Sequence, residues 1–453
     1  MLPPAPVLRT VLVGPFALAL AVPTAARGHP AGDVASAASP GIAEHVLVSA
    51  SYEYDIDSAQ IAREHVGPDA DPLAPLPHPR ELEFHQTRQL VTPAVELGIY
   101  RDVWVSFAVP VVLAQSGELD VAAGVDRTSA STFTDGILPA GGFDAQRPST
   151  PPGGNVAFRG VNRAGVPELR GGIGFAPMGQ ARDDTKPTWK LGAELRFAIG
   201  RVMRFDAVDP GVATGVSTGV HELRLWTSVD RRYHYFEGWF DAFYQRPIYT
   251  RGTALFHDPG FGATNTDPSQ TAGVSFGLEA YVVDDAASGN RLSVELGSRI
   301  TSHFEGRGYT ELWEVFAFAG DRRTAGPLVL DADPTEPGVQ ALSHPGVSNI
   351  ENYLETAAHL ALRARFGAHV SLAAFGEAQW KTDHVISFAQ AGVDLPTCPS
   401  GAPRCETDDN NQVNPGTQEV NPLHARRIDL VGHRYRAEAS RGYVFGVEAH
   451  LAF

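Results

Sequence analysis

The chain is poor in cysteine, in basic residues and in long apolar runs, and each shortage excludes a class of protein. Two cysteines among 453 residues exclude a disulfide scaffold and any multi-cysteine metal or iron–sulfur centre. No stretch after the N-terminal region reaches about 18 uncharged apolar residues, so no helical membrane anchor is expected there. Lys and Arg number 36 against 52 Asp and Glu, which gives a net charge of −16. Because so acidic a chain repels phosphate backbones, nucleic acid is not expected as a partner.

The N-terminal region has the layout of a secretory signal peptide. Arg9 is followed by the short apolar run Thr10–Val22 and by the small residues Thr24-Ala25-Ala26. The run is too short to span a bilayer as a helix, and a buried core strand is the less favoured alternative. We predict a signal peptide over residues 1–26, with a second small-residue site at Ala35-Ser36-Ala37 that would move cleavage to residue 37. A short periplasmic segment is predicted over residues 27–43.

From residue 44 onward the chain repeats stretches in which apolar and polar side chains alternate. In His45–Asp57 every even position is apolar or aromatic, and the odd positions are mostly serine or acidic. Glu351–Phe366 has the same pattern, with Arg363 and Arg365 on its polar face. These stretches extend over about 12–16 residues, which exceeds the usual strand of a soluble sandwich and suffices for a tilted strand to cross a bilayer. The pattern predicts a membrane-spanning barrel over residues 44–453.

The stretches number about twelve, and the connections between them alternate between short and long. This alternation is typical of outer-membrane barrels, in which the short turns are periplasmic and the long loops extracellular. The sequence therefore predicts an all-β fold, a single antiparallel up-and-down transmembrane β-barrel. Thr310–Gly320, in a long loop, is predicted either as a helix folded into the barrel mouth or as an extra strand pair. The approximate strands are 44–57, 82–100, 103–115, 157–176, 188–203, 218–229, 233–247, 271–283, 290–304, 350–366, 369–388 and 441–453.

The last predicted strand carries a recognisable signature. In Gly442–Phe453 one face consists of alternating apolar and aromatic residues, and the sequence stops at an aromatic. This resembles the C-terminal signature of Gram-negative outer-membrane β-barrels. The resemblance implies a bacterial outer-membrane location and recognition by the barrel-assembly machinery through Tyr443, Phe445, Leu451 and Phe453.

Three central segments resemble a narrower group. They read ELGIYRDVWVSFAVP over 96–110, PELRGGIGFAP over 167–177 and WKLGAELRFAI over 189–199. They are similar to transporter-like barrels of the phenol-degradation meta-pathway type. The resemblance covers about the central third of the chain and implies a transport role, but it carries no defined binding residues.

If the apolar face of each strand meets lipid, the charged residues at the alternate positions point into the lumen. The reason is energetic, because Arg or Lys on the lipid face costs about 2–4 kcal/mol at the bilayer midplane. The motif Glu-Leu-Arg occurs three times with this parity. One interpretation is a structural ladder that fills the lumen, and the other is a charged conduction path; we favour a narrow channel that the ladder partly occupies. Carboxylates outnumber basic groups, which mildly favours cations or neutral molecules as solutes. The lumen-lining candidates are Glu168, Arg170, Glu194, Arg196, Glu222, Arg224, Glu295, Arg299, Glu355, Arg363, Glu377 and Lys381.

Aromatic residues near the predicted strand ends are expected to form interfacial girdles. The candidates are Tyr100, Trp104, Trp189, Tyr233, Tyr235, Phe236, Tyr244, Trp380 and Tyr443.

Catalysis and metal binding have little support in the sequence. A lipid hydrolase would need a serine activated by a histidine, yet neither His369-Val370-Ser371 nor His433 has the context of such a site. The oxygen-rich stretch Asp408-Asp409-Asn410-Asn411 lacks the spacing of a calcium loop and is interpreted as a solvated surface. We predict no catalytic residue, metal or cofactor. In an oxidising compartment Cys398 and Cys405 are expected to form a disulfide, with two free thiols as the alternative.

The sequence thus predicts an outer-membrane channel or passive transporter for small solutes, with outer-membrane lipid, the barrel-assembly machinery and an unidentified solute as partners. A structural or adhesive barrel with a plugged lumen, acting through its extracellular loops, is the second hypothesis. An outer-membrane lipid hydrolase is the third.

Overall fold

The computed structural model describes residues 46–66, 75–100, 102–256, 267–285, 287–324, 326–331, 341–367, 369–388 and 424–453. The predicted signal peptide, the segment 27–43, the oxygen-rich stretch 408–411 and the cysteines Cys398 and Cys405 lie outside these residues.

The described chain consists mainly of β-strands joined by turns and loops. Three short helices are α1 (Ser131–Thr134), α2 (Trp313–Ala319) and α3 (Arg426–Asp429). The strands are β1 (Val46–Arg63), β2 (Arg80–Tyr100), β3 (Val103–Ala108), β4 (Val111–Val121), β5 (Phe143–Asp144), β6 (Val156–Arg159), β7 (Arg163–Gly165), β8 (Leu169–Met178), β9 (Thr188–Phe197), β10 (Val220–Tyr233), β11 (Phe236–Thr250), β12 (Thr271–Asp285), β13 (Asn290–His303), β14 (Gly306–Gly308), β15 (Leu330–Asp331), β16 (Ala341–Leu342), β17 (Ser348–Ile350), β18 (Tyr353–Phe366), β19 (Val370–Lys381), β20 (His384–Ser387) and β21 (Tyr435–Ala452).

Twelve antiparallel strands close into a barrel, with β3 and β4 together forming one of them. Each wall strand pairs with the next along the chain, and β1 pairs with both β2 and β21, which leaves no free edge in the wall. The other wall strands are β8 to β13, β18 and β19. The predicted all-β, up-and-down barrel is confirmed.

The alternation seen in the sequence determines which way each side chain points. On β18, Leu354, Leu360 and Leu362 are about half exposed on the outer face, whereas Ala357 and Ala361 are buried inside. The other wall strands repeat this arrangement, so the outside of the barrel is an apolar band. A closed barrel with such a band is the one strand architecture that satisfies every backbone polar group within lipid, and it identifies a transmembrane barrel of the outer-membrane type.

Proline and irregular backbone interrupt the wall at three places where the sequence predicts one strand. The stretch 103–115 breaks at Pro110, which lacks the N–H that continues a ladder. The stretch 157–176 forms β6, β7 and β8, with Pro167 before β8 and Gly165 at a φ of 140°. The stretch 369–388 forms β19 and β20. The short turns nevertheless fall on one side of the barrel and the long connections on the other, as predicted.

The extracellular mouth is closed by loop residues that form a hydrophobic core. Residues 309–320, which include α2 and are called the plug segment below, fold into the mouth, so of the two structures predicted for this loop the helix is the one observed. Phe316 and Leu312 are fully buried, and the ring of Phe316 packs against Phe388 and Tyr435 at 5.1 and 5.5 Å. Ile137 and Leu138 of the loop after α1 belong to the same cluster. Burial of each such side chain stabilises this closure by about 1.5–3 kcal/mol.

None of the helices in the described part of the chain is long and apolar enough to cross a membrane.

Candidate functional site: the barrel lumen

The twelve predicted lumen residues fall into two groups on different parts of the wall. The first group contains the three Glu-Leu-Arg motifs, which lie on or next to β8, β9 and β10. The second group lies on β13, β18 and β19 and consists of Glu295, Arg299, Glu355, Arg363, Glu377 and Lys381. The structure brings the members of each group together. Whether they line a solute path stays a prediction.

In the second group, ion pairs connect neighbouring strands. Arg299 donates hydrogen bonds to Glu355 at 2.8 Å and to Glu377 at 2.9 Å, so one guanidinium on β13 joins β18 and β19. Arg363 donates to Glu295 at 2.9 Å, and Glu295 is fully buried. These bonds form the cross-strand ladder that the structural interpretation expects.

In the first group, the first two motifs form ion pairs within a strand. Arg170 donates through Nε to Glu168 at 2.6 Å, and Arg196 donates through Nε to Glu194 at 2.8 Å. Side chains two residues apart on a strand point to the same face, so this pairing follows from the spacing of the motif.

The third motif does not repeat this pairing. Glu222 accepts a hydrogen bond from Gln245 at 2.8 Å, and the guanidinium of Arg224 lies over the ring of Phe243, 4.0 Å from its centroid. Arg224 makes neither a hydrogen bond nor an ion pair within 4.0 Å with any residue that the structure describes. It is nevertheless only 7% exposed. The third arginine is therefore buried without a direct acceptor among the described residues.

The register of the strands explains this difference. Arg196 lies opposite Arg170 on one side and opposite Glu222 on the other, while Glu194 lies opposite Arg224. Glu194 is the acidic group nearest in register to Arg224, but its carboxylate is bound to Arg196.

A cavity of about 450 Å³ lies between the first group of lumen residues and the plug segment. Its charged lining consists of Arg88, Arg170, Arg196, Arg224 and Lys381 together with Glu53, Asp57, Glu168 and Glu311. Apolar side chains also line the cavity; among them are Phe84, Leu90, Val112, Met203, Val216 and Trp313. The lumen is therefore not completely filled, and the remaining space is both charged and apolar.

Inward-pointing aromatic side chains are a feature of the lumen that sequence reasoning missed. Trp104, predicted as an interfacial residue, is only 2% exposed and lies inside the barrel next to Trp226, so that prediction is wrong. Tyr100 and Tyr233 are more than half exposed near the short-turn side, as an interfacial position requires.

Each of several inward rings occupies the space above a glycine on a neighbouring strand. A Cβ atom placed on Gly174 would lie 2.1 Å from Trp104, and one on Gly277 would lie 2.6 Å from Trp239. The same relation joins Trp226 to Gly192, Phe243 to Gly273 and Phe375 to Gly446. A glycine of inward parity on the adjacent strand is the signal that could have identified these rings.

One buried arginine holds the plug segment to the wall. Arg163 on β7 donates to the carbonyl oxygens of Ala213 at 2.7 Å and Gly215 at 3.0 Å, and also pairs with the carboxylate of Glu314 on α2. Its guanidinium lies 4.8 Å from the ring of Trp313. Burial raises the pKa of Glu314 above its ordinary value, an effect that the charge of Arg163 opposes. Arg163 thus adds a charged contact to the apolar packing that holds α2 in place.

The histidines considered for catalysis do not contact a serine hydroxyl within the described chain. The Nδ1 atom of His369 lies 2.8 Å from the carbonyl oxygen of Ala452 at a short turn. His433 lies 3.7 Å from Asp135 in the extracellular loops. The described residues also contain no group of three or more His, Cys, Asp or Glu side chains that could hold a metal ion.

No protein-family model matches the sequence, and no curated protein matches it. Among the solved structures similar to this chain is an outer-membrane channel from Pseudomonas putida F1. The two chains are 8% identical, the match covers 93% of this chain and 99% of that chain, and the TM-score is 0.36. The CymD monoaromatic hydrocarbon channel has 10% identity, coverages of 91% and 89%, and a TM-score of 0.33. The outer-membrane protease OmpT from Escherichia coli has 6% identity, coverages of 91% and 97%, and a TM-score of 0.28. These values give no basis for transferring a function to this chain.

Proposed function

We propose that this protein is an outer-membrane channel that admits small polar or charged solutes through a narrow lumen, with the plug segment as its extracellular gate. The observation that supports this proposal is the cavity of about 450 Å³ between the first group of lumen residues and the plug segment. A lumen filled only to hold the barrel together has no need of an internal space lined by nine charged side chains.

The way in which the mouth is closed also supports a gate. The plug segment is held by apolar packing around Phe316 and by the contacts of Arg163 with Glu314 and Trp313. Movement of α2 therefore requires the Arg163–Glu314 ion pair to break, together with part of the apolar packing on the ends of the wall strands. The cross-strand bonds of Arg299 and Arg363 belong to the wall itself and stay in place during such a movement.

Conductance across planar bilayers tests the proposal. We expect the purified protein to insert as small channels that spend part of the time closed, and Arg163→Gln to lengthen the open periods severalfold, because Glu314 then loses its charged partner. Arg147→Gln, which changes an exposed loop arginine, is the matched control and should gate like the wild type. Persistently silent insertions of both the wild type and Arg163→Gln would refute the channel.

The folded extracellular loops favour a second candidate function, adhesion. A surface recess of about 430 Å³ next to α1 and the plug segment is lined by Phe133, Asp135, Leu138, Phe318 and Arg427 among others. An adhesive barrel should hold a surface ligand without passing solutes, so surface binding together with silent bilayer insertions would favour this function. A lipid hydrolase has no comparable observation in its support.

A further inference from the structure

We infer that the lumen cavity is a binding site for small organic carboxylates and that Arg224 is the residue that holds the carboxylate group. This inference rests on the proposed channel function and names the class of solute.

The argument starts from the state of Arg224. A buried guanidinium costs several kcal/mol in lost hydration unless acceptors replace the water, so buried arginines in proteins are normally paired. Arg224 is 7% exposed, and its guanidinium stacks on the face of the Phe243 ring. Stacking occupies one face of the guanidinium and leaves the N–H groups at its edge free to donate.

Arg224 and its neighbouring arginines face the same cavity. Arg224 belongs to the cavity lining, and so do Arg170 and Arg196, each of which is already bound to its own glutamate. The charged groups that act on Arg224 most strongly are Arg196 and Glu194, followed by Arg170 and Arg299. An anion that entered the cavity would therefore meet one unpaired arginine and two more cations beside it.

The shape of the acceptor follows from the geometry of the donor. The planar fork of a guanidinium matches the two oxygens of a carboxylate, and such charge-assisted pairs are about twice as strong as neutral hydrogen bonds. The same cavity also has apolar side chains, which would contribute nothing to the binding of an inorganic anion; they include Leu90, Val112, Val216 and Trp313. They provide a surface for the hydrocarbon part of an organic acid.

The acidic side chains of the cavity do not cancel this preference. Glu168 is bound to Arg170, and Glu53 and Asp57 lie on β1, on another part of the wall. Asp57 and Glu311 of the plug segment interact electrostatically with Lys381. The cavity is therefore divided into a cationic side on β8 to β10 and a mixed side near β19.

The first experiment uses benzoate as the probe and benzamide as its uncharged isostere, with titration calorimetry on the full mature protein in detergent. We expect benzoate to bind at least tenfold more tightly than benzamide. Arg224→Gln should lower benzoate affinity about tenfold or more without changing benzamide, and Arg224→Lys should restore part of it. Arg365→Gln, which removes a lumen cation outside the cavity lining, is the matched control. Equal affinity for the two probes, unchanged benzoate affinity in Arg224→Gln, or equally tight binding of inorganic phosphate would overturn the inference.

A second measurement needs no variant and so does not depend on whether Arg224→Gln folds. Phenylglyoxal modifies accessible arginines, and mass spectrometry reports the rate at each position. We expect benzoate to slow the modification of Arg224 severalfold and benzamide to leave it unchanged. Equal rates with both additives would contradict the site.

Swelling of protein-containing vesicles in benzoate separates this inference from the channel itself. Benzoate binding that depends on Arg224, in vesicles that do not swell in any solute, would refute the channel while leaving the site intact. Swelling in several solutes, together with benzoate binding that ignores Arg224, would refute the site while leaving the channel intact.

Discussion

The two parts of the lumen are closed by different kinds of interaction. The extracellular mouth is closed by apolar side chains from loops, with Phe316 at the centre and one ion pair, Arg163–Glu314, joining them to the wall. The membrane-embedded part is narrowed by charged side chains of the wall strands, which bond to one another across the register. The first closure packs on the outer ends of the wall strands, so it can part from them without breaking the strand pairing of the barrel. The second cannot move without changing the barrel, because its members are part of the wall.

The largest effect should come from weakening the apolar closure. Phe316→Ala removes a fully buried ring and should lower the free energy of unfolding of the extracellular core by about 3–5 kcal/mol. The cavity left behind should also loosen α2 and raise bilayer conductance. Urea unfolding in detergent and single-channel recording measure the two effects. Phe304→Ala, at a ring that is 43% exposed, is the control and should change both little. Loss of stability without any rise in conductance would show that the plug segment is not the gate.

Breaking the charged closure should cost nearly as much stability without opening the mouth. Glu295→Ala removes a fully buried carboxylate that binds Arg363 and should lower the free energy of unfolding by about 3 kcal/mol. Conductance should stay close to that of the wild type, because the plug segment is untouched. Glu305→Ala, at a loop carboxylate, should stay within about 0.5 kcal/mol. A rise in conductance as large as that of Phe316→Ala would contradict the division between the two closures.

Adding one methyl group inside the wall should have a smaller effect. In Gly277→Ala the new Cβ would lie 2.6 Å from the Trp239 ring and 2.5 Å from the carbonyl oxygen of Leu296, so overpacking should cost about 1–3 kcal/mol. Gly238→Ala on the neighbouring strand is a matched control, since a Cβ there would have no atom within 4 Å. The shift of the heat-induced unfolding midpoint measures both. Equal midpoints for the two variants would mean that the ring can move aside.

The smallest effect concerns a pH-dependent contact of the loops. Glu64 lies beyond the membrane-spanning part of β1 and is buried, and burial raises the pKa of its carboxyl. Hydrogen bonds from Arg434 and from the backbone of Gly432 outweigh this effect, so the pKa of Glu64 lies below its ordinary value. A lowered pKa in the folded state contributes stability that is present above the ordinary value of 4.5 and is lost as the pH falls through the lowered value. Glu64→Gln should therefore cost up to about 1 kcal/mol at pH 7 and nothing once the wild-type carboxyl is protonated. A difference between wild type and variant that did not vary with pH would contradict this assignment.

The sequence predicts the barrel well within the membrane and less well outside it. Inside lipid each strand meets hydrocarbon on one face and the lumen on the other, so the alternation is strict and strands such as β13 and β18 begin and end close to their predicted bounds. Beyond the membrane both faces meet loops or water, and the alternation disappears. For this reason the extension of β1 to Arg63 and the start of β21 at Tyr435 are not visible in the sequence.

In the lumen, contacts between side chains of one strand can be predicted from the sequence, whereas contacts between strands cannot. The spacing of Glu168 and Arg170, two residues apart, is sufficient to expect their ion pair. The unpaired state of Arg224 depends on Phe243 and Gln245 of the neighbouring strand, and those contacts require the register. The expectation that acidic excess favours cations or neutral molecules likewise counted charges without their partners, and it stays a prediction.

The seam between β1 and β21 has a consequence for the order in which the protein assembles. It joins Leu47 to Ala452 and Arg63 to Tyr435, positions that are almost as distant along the chain as any two can be. Contacts of such separation form late and slowly. Until they form, the nascent wall exposes two long, unpaired edges that invite association with other chains. The two edges are each other's partners, so a single closing event removes both of them.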